Sequence, residues 1–467
     1  MNEEDEHAAV AAMQAVNGLS SPALALDDKT VEDLGLFEGH GGARSLFDFC
    51  DRTRTEGGRK ALRARMRAPF TEAAKIRATQ SALAAIGEAR EAFSALPTEY
   101  LLKGTQRHLR NPRPPIGFDG GILFFVRAIA FWIDDFRGFS NLAHGVEQTR
   151  RTVHRMRALA DAPALARAPG ELGALMDRVR TCCAHPAIAQ TPDQSLGASP
   201  LRVLRLDQQL RGAARAVVGD LVDLAHELDA LIALADTVRE EALVFPTVDE
   251  GELAFEACAL AHPLLDSPVA NDAALDPARN LLFLTGPNMA GKTTYLRAVA
   301  ISSYFAHIGL GVRAEAFRFS PATHLLTALS LEDDLHGGVS YFRAEALRVR
   351  DLADAIAQGG RVIAFLDEPF KGTNVKDALD ASAAVLSALA ECASCLCLVS
   401  SHLIELEDTL RASPNVDCRY FEAQEHGSRL SFDYRLRTGV SAQRLGMRVL
   451  AEEGVFERLD EARTREA

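Results

Sequence analysis

The sequence predicts an all-α segment over residues 43–245, followed by an α/β domain over residues 246–467 built on a mainly parallel sheet. Apolar residues at three- and four-residue spacing run through the first half, as in "SLFDFCDRTRTEGGRKALRARM" and "GDLVDLAHELDALIALADTVREEALV". From "FPTVDEG" (245–251) onward the pattern changes: short apolar runs alternate with helix-like stretches.

The elements follow in order. The first 42 residues begin with acidic "MNEEDEHAAV", end near a glycine pair and are expected to form a flexible tail. They show no basic region ahead of an apolar core, as a secretory signal would. The most apolar run, "ILFFVRAIAFWI" from Ile122 to Ile133, is too short to span a bilayer and carries Arg127. A buried helix is expected there, with membrane association as the alternative. Proline-rich breaks fall at "RNPRPPIGF" (110–118) and "AHPAIAQTPDQSLGASP" (184–200). Leu221, Leu224, Leu228, Leu231 and Leu234 keep one stripe, broadened by Val222 and Ile232, so a long helix buried along one side is expected. Strands are expected at "ELAFEACAL", "NLLFLT", "RVIAFL", "CLCLVSSH" and "LSFDYRL".

Composition sets the frame for function. The 467 residues are 48% hydrophobic and 25% charged, the balance of an ordinary globular protein with room for large cores. The net charge of -13 excludes a uniformly basic surface, so nucleic acid would need a local basic face. Two arginine-rich clusters are candidates: Arg52, Arg54, Arg59, Lys60, Arg63, Arg65 and Arg67, then Arg150, Arg151, Arg155 and Arg157. Solvated helix faces with intramolecular charge pairs are the competing explanation. Eight scattered cysteines without an export signal point to a reducing, cytoplasmic setting. Cys392, Cys395 and Cys397 lack the second knuckle a tetrahedral metal site needs, and read as small apolar residues entering a buried strand.

The chemistry concentrates after "NLLFLT". Gly286, Pro287, Asn288, Met289, Ala290, Gly291, Lys292 and Thr293 fit G-x-x-x-x-G-K-[ST] at every fixed position, with Thr294 next. Glycines let backbone N–H groups turn toward phosphate oxygens, and the following helix aims its positive end at the same charge. In this pattern Lys292 reaches the β- and γ-phosphates and Thr293 ligates Mg²⁺. The nucleotide expected is therefore ATP with Mg²⁺. "RVIAFLDEP" supplies the matching carboxylates: Asp367 for the metal, Glu368 to deprotonate the attacking water. "CLCLVSSH" brings Ser401 and His402 to a third strand end, where ligands of parallel sheets converge. His402 is a candidate γ-phosphate sensor. "LEDDLHGGVSYFRAE" (331–345) offers glycines, Ser340 and a helix start to an anion, in a second subunit if not its own.

Together these residues resemble the MutS DNA mismatch-repair ATPases, within the wider ABC-type group. "TGPNMAGKTT" resembles the family's phosphate loop, "LDEPFKGTN" its acidic strand end and dimer loop, and "SHLIEL" its switch-histidine strand. "DDLHGGVSYFRAE" is similar to its signature segment, "PVANDAAL" to its adenine-side segment, "SLFDFCDRTRTEGGRKALRARMRAPF" to the start of its helical core, and "LSFDYRLRTGVSAQRLGMRVLAEEG" to its C-terminal stretch. The resemblance implies an α/β P-loop NTPase domain of ABC type at the C-terminus, preceded by an all-α core and lever domain. It implies a homodimer with two composite ATP sites, with Ser340 on the partner's γ-phosphate and Gly372, Thr373 and Asn374 along the interface. Val269 and Asn271 would sit near the adenine. Double-stranded DNA would be the partner, and no membrane.

The departures from the family pattern are specific. Ala290 replaces a usual glycine and Thr293 a usual serine, and Tyr341 stands where threonine is common. Pro369-Phe370-Lys371 replaces a small residue, glycine and arginine, and Pro268 falls where an aromatic can lie. Only about 42 residues precede the core, so a truncated MutS-like ATPase without the mismatch-reading and connector domains is expected. A nucleotide-gated scaffold that grips another protein, and does not bind DNA, is the alternative. A transporter-type ATPase subunit fits "HGGVSYF" poorly.

Overall fold

The computed structural model describes residues 23–117, 122–195, 197, 199–329, 341–411, 413–426, 429–441, 443, 450, 454–456, 458–459 and 463. Its helices are α1 (Asp28–Asp33), α2 (Leu46–Cys50), α3 (Glu56–Arg67), α4 (Ala73–Glu88), α5 (Glu99–Leu109), α6 (Ile122–Asp134), α7 (Phe136–Ala160) and α8 (Gly170–Ala184). They continue as α9 (Pro186–Ala189), α10 (Pro200–Arg211), α11 (Arg215–Glu240), α12 (Lys292–His307), α13 (Tyr341–Ala357), α14 (Val375–Ala390) and α15 (Leu406–Leu410). The described residues form two compact units: Cys50–Arg67 with Arg77–Glu240, and residues 23–49 with Ala68–Ile76 and the chain from Glu241 onward.

The helical unit is organised on α11. The expected leucine stripe is buried, but so is every residue from Leu228 to Thr237. Helix α11 packs against α3, α5, α7, α8 and α10, so the helix is enclosed rather than covered on one side. Gly57 and Gly58 permit the closest of these approaches: a Cβ at Gly57 would lie 2.3 Å from the His226 ring and one at Gly58 2.1 Å from Asp229. Asp229 in turn accepts from the backbone N–H groups of Arg54 and Thr55 and from the Thr55 hydroxyl at 2.7 Å, capping α3 from a neighbouring helix. Fully buried His108 bridges Thr149 and Asp207, at 2.8 Å to each, and Arg211 donates to the same carboxylate. These are satisfied core polar groups.

Helix α6 departs from expectation. The run Ile122–Ile133 is helical, but it buries only Phe124 and Ala128 and turns most of its large apolar side chains to solvent. A 13-residue helix that is apolar all round needs neighbours on every side, and this one has them on one.

The second unit holds a six-stranded sheet of order β12-β9-β4-β8-β7-β6. Its strands are β4 (Leu281–Thr285), β6 (His324–Ala328), β7 (Val362–Asp367), β8 (Cys395–Ser400), β9 (Val416–Tyr420) and β12 (Arg437–Thr438). All pairings are parallel except β12 with β9. A separate four-stranded sheet orders β1 (Thr247–Val248), β5 (Ala316–Phe319), β2 (Phe255–Leu260) and β3 (Asn271–Leu275), and β10 (Ala423–His426) pairs with β11 (Arg429–Phe432). Each strand expected from the sequence is present, and β4 and β8 are buried throughout, as central parallel strands are. Cys395 and Cys397 are buried in β8, and burial pushes the Cys395 thiol up to about 12.

Residues 23–42, expected as part of a tail, instead belong to this unit. Ala25 forms a parallel bridge with His324 at the edge strand β6. Asp33 is fully buried and accepts from Thr327 Oγ1 at 2.9 Å and the Leu329 N–H at 2.8 Å. Arg348 of α13 pairs with Asp27 and donates to Thr30 Oγ1 at 2.8 Å. An acidic start to a sequence predicts a solvated tail; it does not reveal carboxylates placed at the rim of a sheet.

Candidate nucleotide site

Strand register builds the site. Leu284 of β4 and Asp367 of β7 are both in register with Ser400 of β8, the strand between them. Three parallel strands therefore end at one level, and the residues that follow them meet: Gly286–Thr293 after β4, Glu368 after β7, Ser401 and His402 after β8.

The turn after β4 needs its glycines. Gly286 has φ 140°, and a Cβ there would lie 2.7 Å from the Phe421 carbonyl oxygen. Gly291 adopts a left-handed φ of 101° as the N-cap of α12. Met289 also has positive φ and is largely exposed, whereas Ala290 is buried. Pro287 and Asn288 complete the turn, and Thr294 lies in the first turn of α12.

Lys292 is buried, and its Nζ donates to the Gly286 carbonyl at 2.8 Å and the Pro287 carbonyl at 3.3 Å. Glu368 lies 3.9 Å away. Burial lowers the Lys292 pKa, with Glu368 and Asp367 opposing. The ammonium thus rests on its own loop's carbonyls.

Thr293 Oγ1 donates to Asp367 Oδ2 at 2.5 Å, and Ser400 Oγ donates to Asp367 Oδ1. Thr293 and Asp367 make an all-oxygen donor pair, the chemistry that suits magnesium with its retained waters. Among the described residues, no cluster of three or more His, Cys, Asp or Glu is placed to hold a metal on its own. A metal here would share its shell with phosphate and water.

Glu368 takes a left-handed backbone, φ 50°, while its N–H donates to the Ser400 carbonyl at 3.0 Å. A non-glycine residue with positive φ at a strand end is a local strain that persists where the surroundings fix it. Its carboxylate lies 3.8 Å from His402 Nδ1, an ion-pair distance longer than a hydrogen bond. The neighbouring imidazole holds Glu368 below its usual 4.5, with Lys292 adding to the effect and burial opposing. The Glu368 carboxylate in turn raises His402 above 6.5.

Asn271 opens β3, donates to the Tyr434 carbonyl at 2.9 Å and accepts the Leu436 N–H at 2.7 Å. Val269 is partly exposed beside it in sequence. Sequence reasoning missed Tyr434. Tyr434 is 44% exposed, and its ring would stand 3.2 Å from a Cβ on Gly291, against the turn after β4. The run "LSFDYRL" contained it, but nothing local says that it returns to the loop after β4. Ser400 was missed for the same reason. Ser340 lies outside the described residues. Of the expected interface residues, Asn374 caps α14 by accepting the Asp377 N–H at 3.0 Å. Phe370 is buried with its ring 5.7 Å from that of Phe342.

The arginine-rich clusters are largely engaged within the chain. Arg52 pairs with Glu240, Arg59 with Asp51 and Lys60 with Glu56, while buried Arg65 grips Glu171. Arg150 pairs with Glu147, Arg155 donates to the carbonyls of Ser94 and Leu96, and Arg157 pairs with Asp193.

A buried parallel strand, a glycine turn, a helix N-terminus and carboxylates on the next strand but one meet at one end of the sheet of an α/β domain. Residues 282–465 match the family model of MutS domain V. The match covers this C-terminal part of the chain, and domain V is the ATPase domain of the MutS family. No helix among the described residues is long and apolar enough to cross a membrane.

Proposed function

We propose that this protein is a MutS-like ATPase of ABC type, with a P-loop at Gly286–Thr293, whose Mg·ATP site is completed by a second copy of the chain. The observation that carries the proposal is the meeting of Thr293, Asp367, Glu368 and His402 around the turn after β4. In this reading Lys292 leaves the Gly286 and Pro287 carbonyls and donates to the β- and γ-phosphates. Thr293 and Asp367 hold the magnesium, which when bound neutralises charge on the transferring phosphoryl group. Glu368, ionised and aimed by its strained backbone, takes the proton of the attacking water. His402 holds Glu368 and follows the γ-phosphate. Tyr434, with Asn271 fixing its carbonyl, offers its ring to the base in place of the aromatic missing at Pro268.

The second copy contributes Ser340 to the γ-phosphate, with Gly372, Thr373 and Asn374 at the shared face. A γ-phosphate that binds the closed pair better than the open one biases a two-state dimer, and the helical unit carries the movement to double-stranded DNA. The pairing of Arg52, Arg59, Arg65, Arg150 and Arg157 within the chain favours a second reading, a nucleotide-gated scaffold for another protein. Salt-dependent DNA binding separates the two, because neutralised phosphates release counterions and a scaffold shows no such slope.

The deciding experiment is ATP hydrolysis and oligomeric state of wild type and Glu368→Ala. We expect hydrolysis to fall by about 100-fold or more and an ATP-bound dimer to accumulate. A strictly monomeric variant with normal turnover removes both the base and the composite site.

A further inference from the structure

We infer that Glu345 is a positioning residue for hydrolysis: its buried carboxylate seats the loop Phe370–Gly372, and through that loop it sets the backbone of Glu368. The inference rests on the reading of Glu368 as the base. Glu345 stands on the second turn of α13, is 3% exposed and shares a small cavity with Asp367 and Pro369. Among the described residues, no hydrogen bond of ordinary geometry closes on either of its carboxylate oxygens. Burial raises its pKa, while the backbone N–H groups of Gly372, Phe370 and Lys371 oppose this by favouring the charge. Arg348 lines the same cavity, but its donors go to Asp27, Thr30 and the Thr327 carbonyl. The loop, through its three N–H groups and the Lys371 charge, is what remains to answer the carboxylate. A buried carboxylate without donors is costly, so the arrangement persists only if the loop supplies them.

The loop is shaped to do so. Glu368 has φ 50° and Phe370 φ 64°, two left-handed non-glycine residues within three positions. Successive N–H groups beside such a residue form a concavity that takes an anion. Such a backbone persists only where its neighbours fix it. Helix α13 supplies those neighbours twice: the Phe342 ring lies 5.7 Å from that of buried Phe370, and Glu345 follows three residues later. Positions three apart share one face of a helix, so that face grips the loop by a ring and by a carboxylate. Without the carboxylate, the strained backbone at Glu368 loses its support and the base drifts from the attacking water. Lys292 and Thr293 stand on α12, so nucleotide binding is left as it was.

Steady-state ATP hydrolysis by the full chain tests the seat, comparing wild type with Glu345→Ala and Glu345→Gln. We expect Glu345→Ala to lower kcat by about 10- to 100-fold with KM for ATP within about twofold of wild type. Glu345→Gln, which keeps one acceptor oxygen, should recover part of the loss. Hydrogen exchange without nucleotide gives a second readout: peptides spanning 369–373 should exchange at least about 10-fold faster in Glu345→Ala, while those from β7 hold. Should Glu345→Ala fail to fold, Glu345→Gln decides by the same two measurements. A kcat equal to that of wild type, a raised KM with kcat unchanged, or unaltered exchange in the loop overturns the inference. If Glu368→Ala abolishes hydrolysis while Glu345→Ala turns over normally, this inference alone falls. A wild type that hydrolyses no ATP sinks the ATPase reading instead, and the nucleotide-free exchange still judges the seat.

Discussion

Glu368 and His402 show what single residues contribute and how pH should expose it. The imidazole, raised above 6.5 by the carboxylate, gives the pair a stability that is complete below 6.5 and lost as pH climbs through its folded value. The carboxylate, lowered beneath 4.5, gives a stability present above 4.5 and lost as pH falls through its own folded value. The pair is therefore charged on both sides from below 4.5 to above 6.5. If His402 holds the base, the pH–rate profile should fall on an alkaline limb above 6.5, and His402→Ala should lack that limb and turn over about 10- to 100-fold more slowly. Superimposable profiles for the two proteins would sink the assignment. Most of this site was legible in the sequence because its parts are contiguous: strand, turn, Lys292 and Thr293 form one run, and β7 ends in Asp367-Glu368. Ser400 and Tyr434 were not legible, because their place depends on β8 inserting between β4 and β7 and on a distant loop folding back. Periodicity reports local structure, whereas strand order is a tertiary fact.

Secondary elements divide by the same rule. The long strongly periodic helix α11 and the buried strands β4, β7 and β8 were readable, since burial leaves a repeat in the sequence. Helix α6 was not, because an apolar run states what a helix would bury and is silent on how many neighbours arrive. Helix α1 was hidden by its six-residue length and its polar composition. The importance of the helix and its N-cap lies in three side chains. Asp27 and Thr30 hold Arg348 of α13, and Asp33 satisfies Thr327 and Leu329 at the end of β6. Asp33→Ala would strand the buried Leu329 N–H and the Thr327 hydroxyl, at a cost of roughly 2–4 kcal/mol to the second unit. Urea denaturation checks it. A midpoint unchanged from wild type would mean that the segment 23–36 only rests on the sheet.

At the scale of the whole molecule, the two units should respond differently to acid, and buried histidines are the reason. His307 is fully buried in the second unit; its Nδ1–H donates to the Ser303 carbonyl at 2.6 Å and its Nε2 accepts the Ala322 N–H at 2.9 Å. Both nitrogens are used by the neutral ring, and burial pushes the pKa down to about 4, with Arg361 adding and the Ser303 bond opposing. His262 of the same unit is likewise pushed down to about 4 by burial and by Arg297 and Arg313. The unfolded chain binds these protons near 6.5 and the folded unit does not, so stability is full above 6.5 and drains away as pH falls toward 4. For His307 alone the loss by pH 5 is about 2 kcal/mol. In the helical unit, burial raises Asp223, Glu227 and Asp229 of α11. A raised carboxylate works in the opposite sense, since the folded unit takes its proton first and gains stability as pH falls through the raised value. On that helix His226, lowered by burial, opposes this, as does Glu240, held below 4.5 by Arg52, once the pH falls beneath 4.5. Hydrogen exchange at pH 7.5 and pH 5, corrected for intrinsic rate, should therefore show protection falling in peptides from α12 and holding in peptides from α11. His307→Gln, which keeps a donor and an acceptor but has no proton to gain, should flatten the α12 response whatever its effect at neutral pH. Equal loss of protection in both units, or an undiminished acid response in His307→Gln, would show that carboxylates rather than the buried imidazole govern the acid limit.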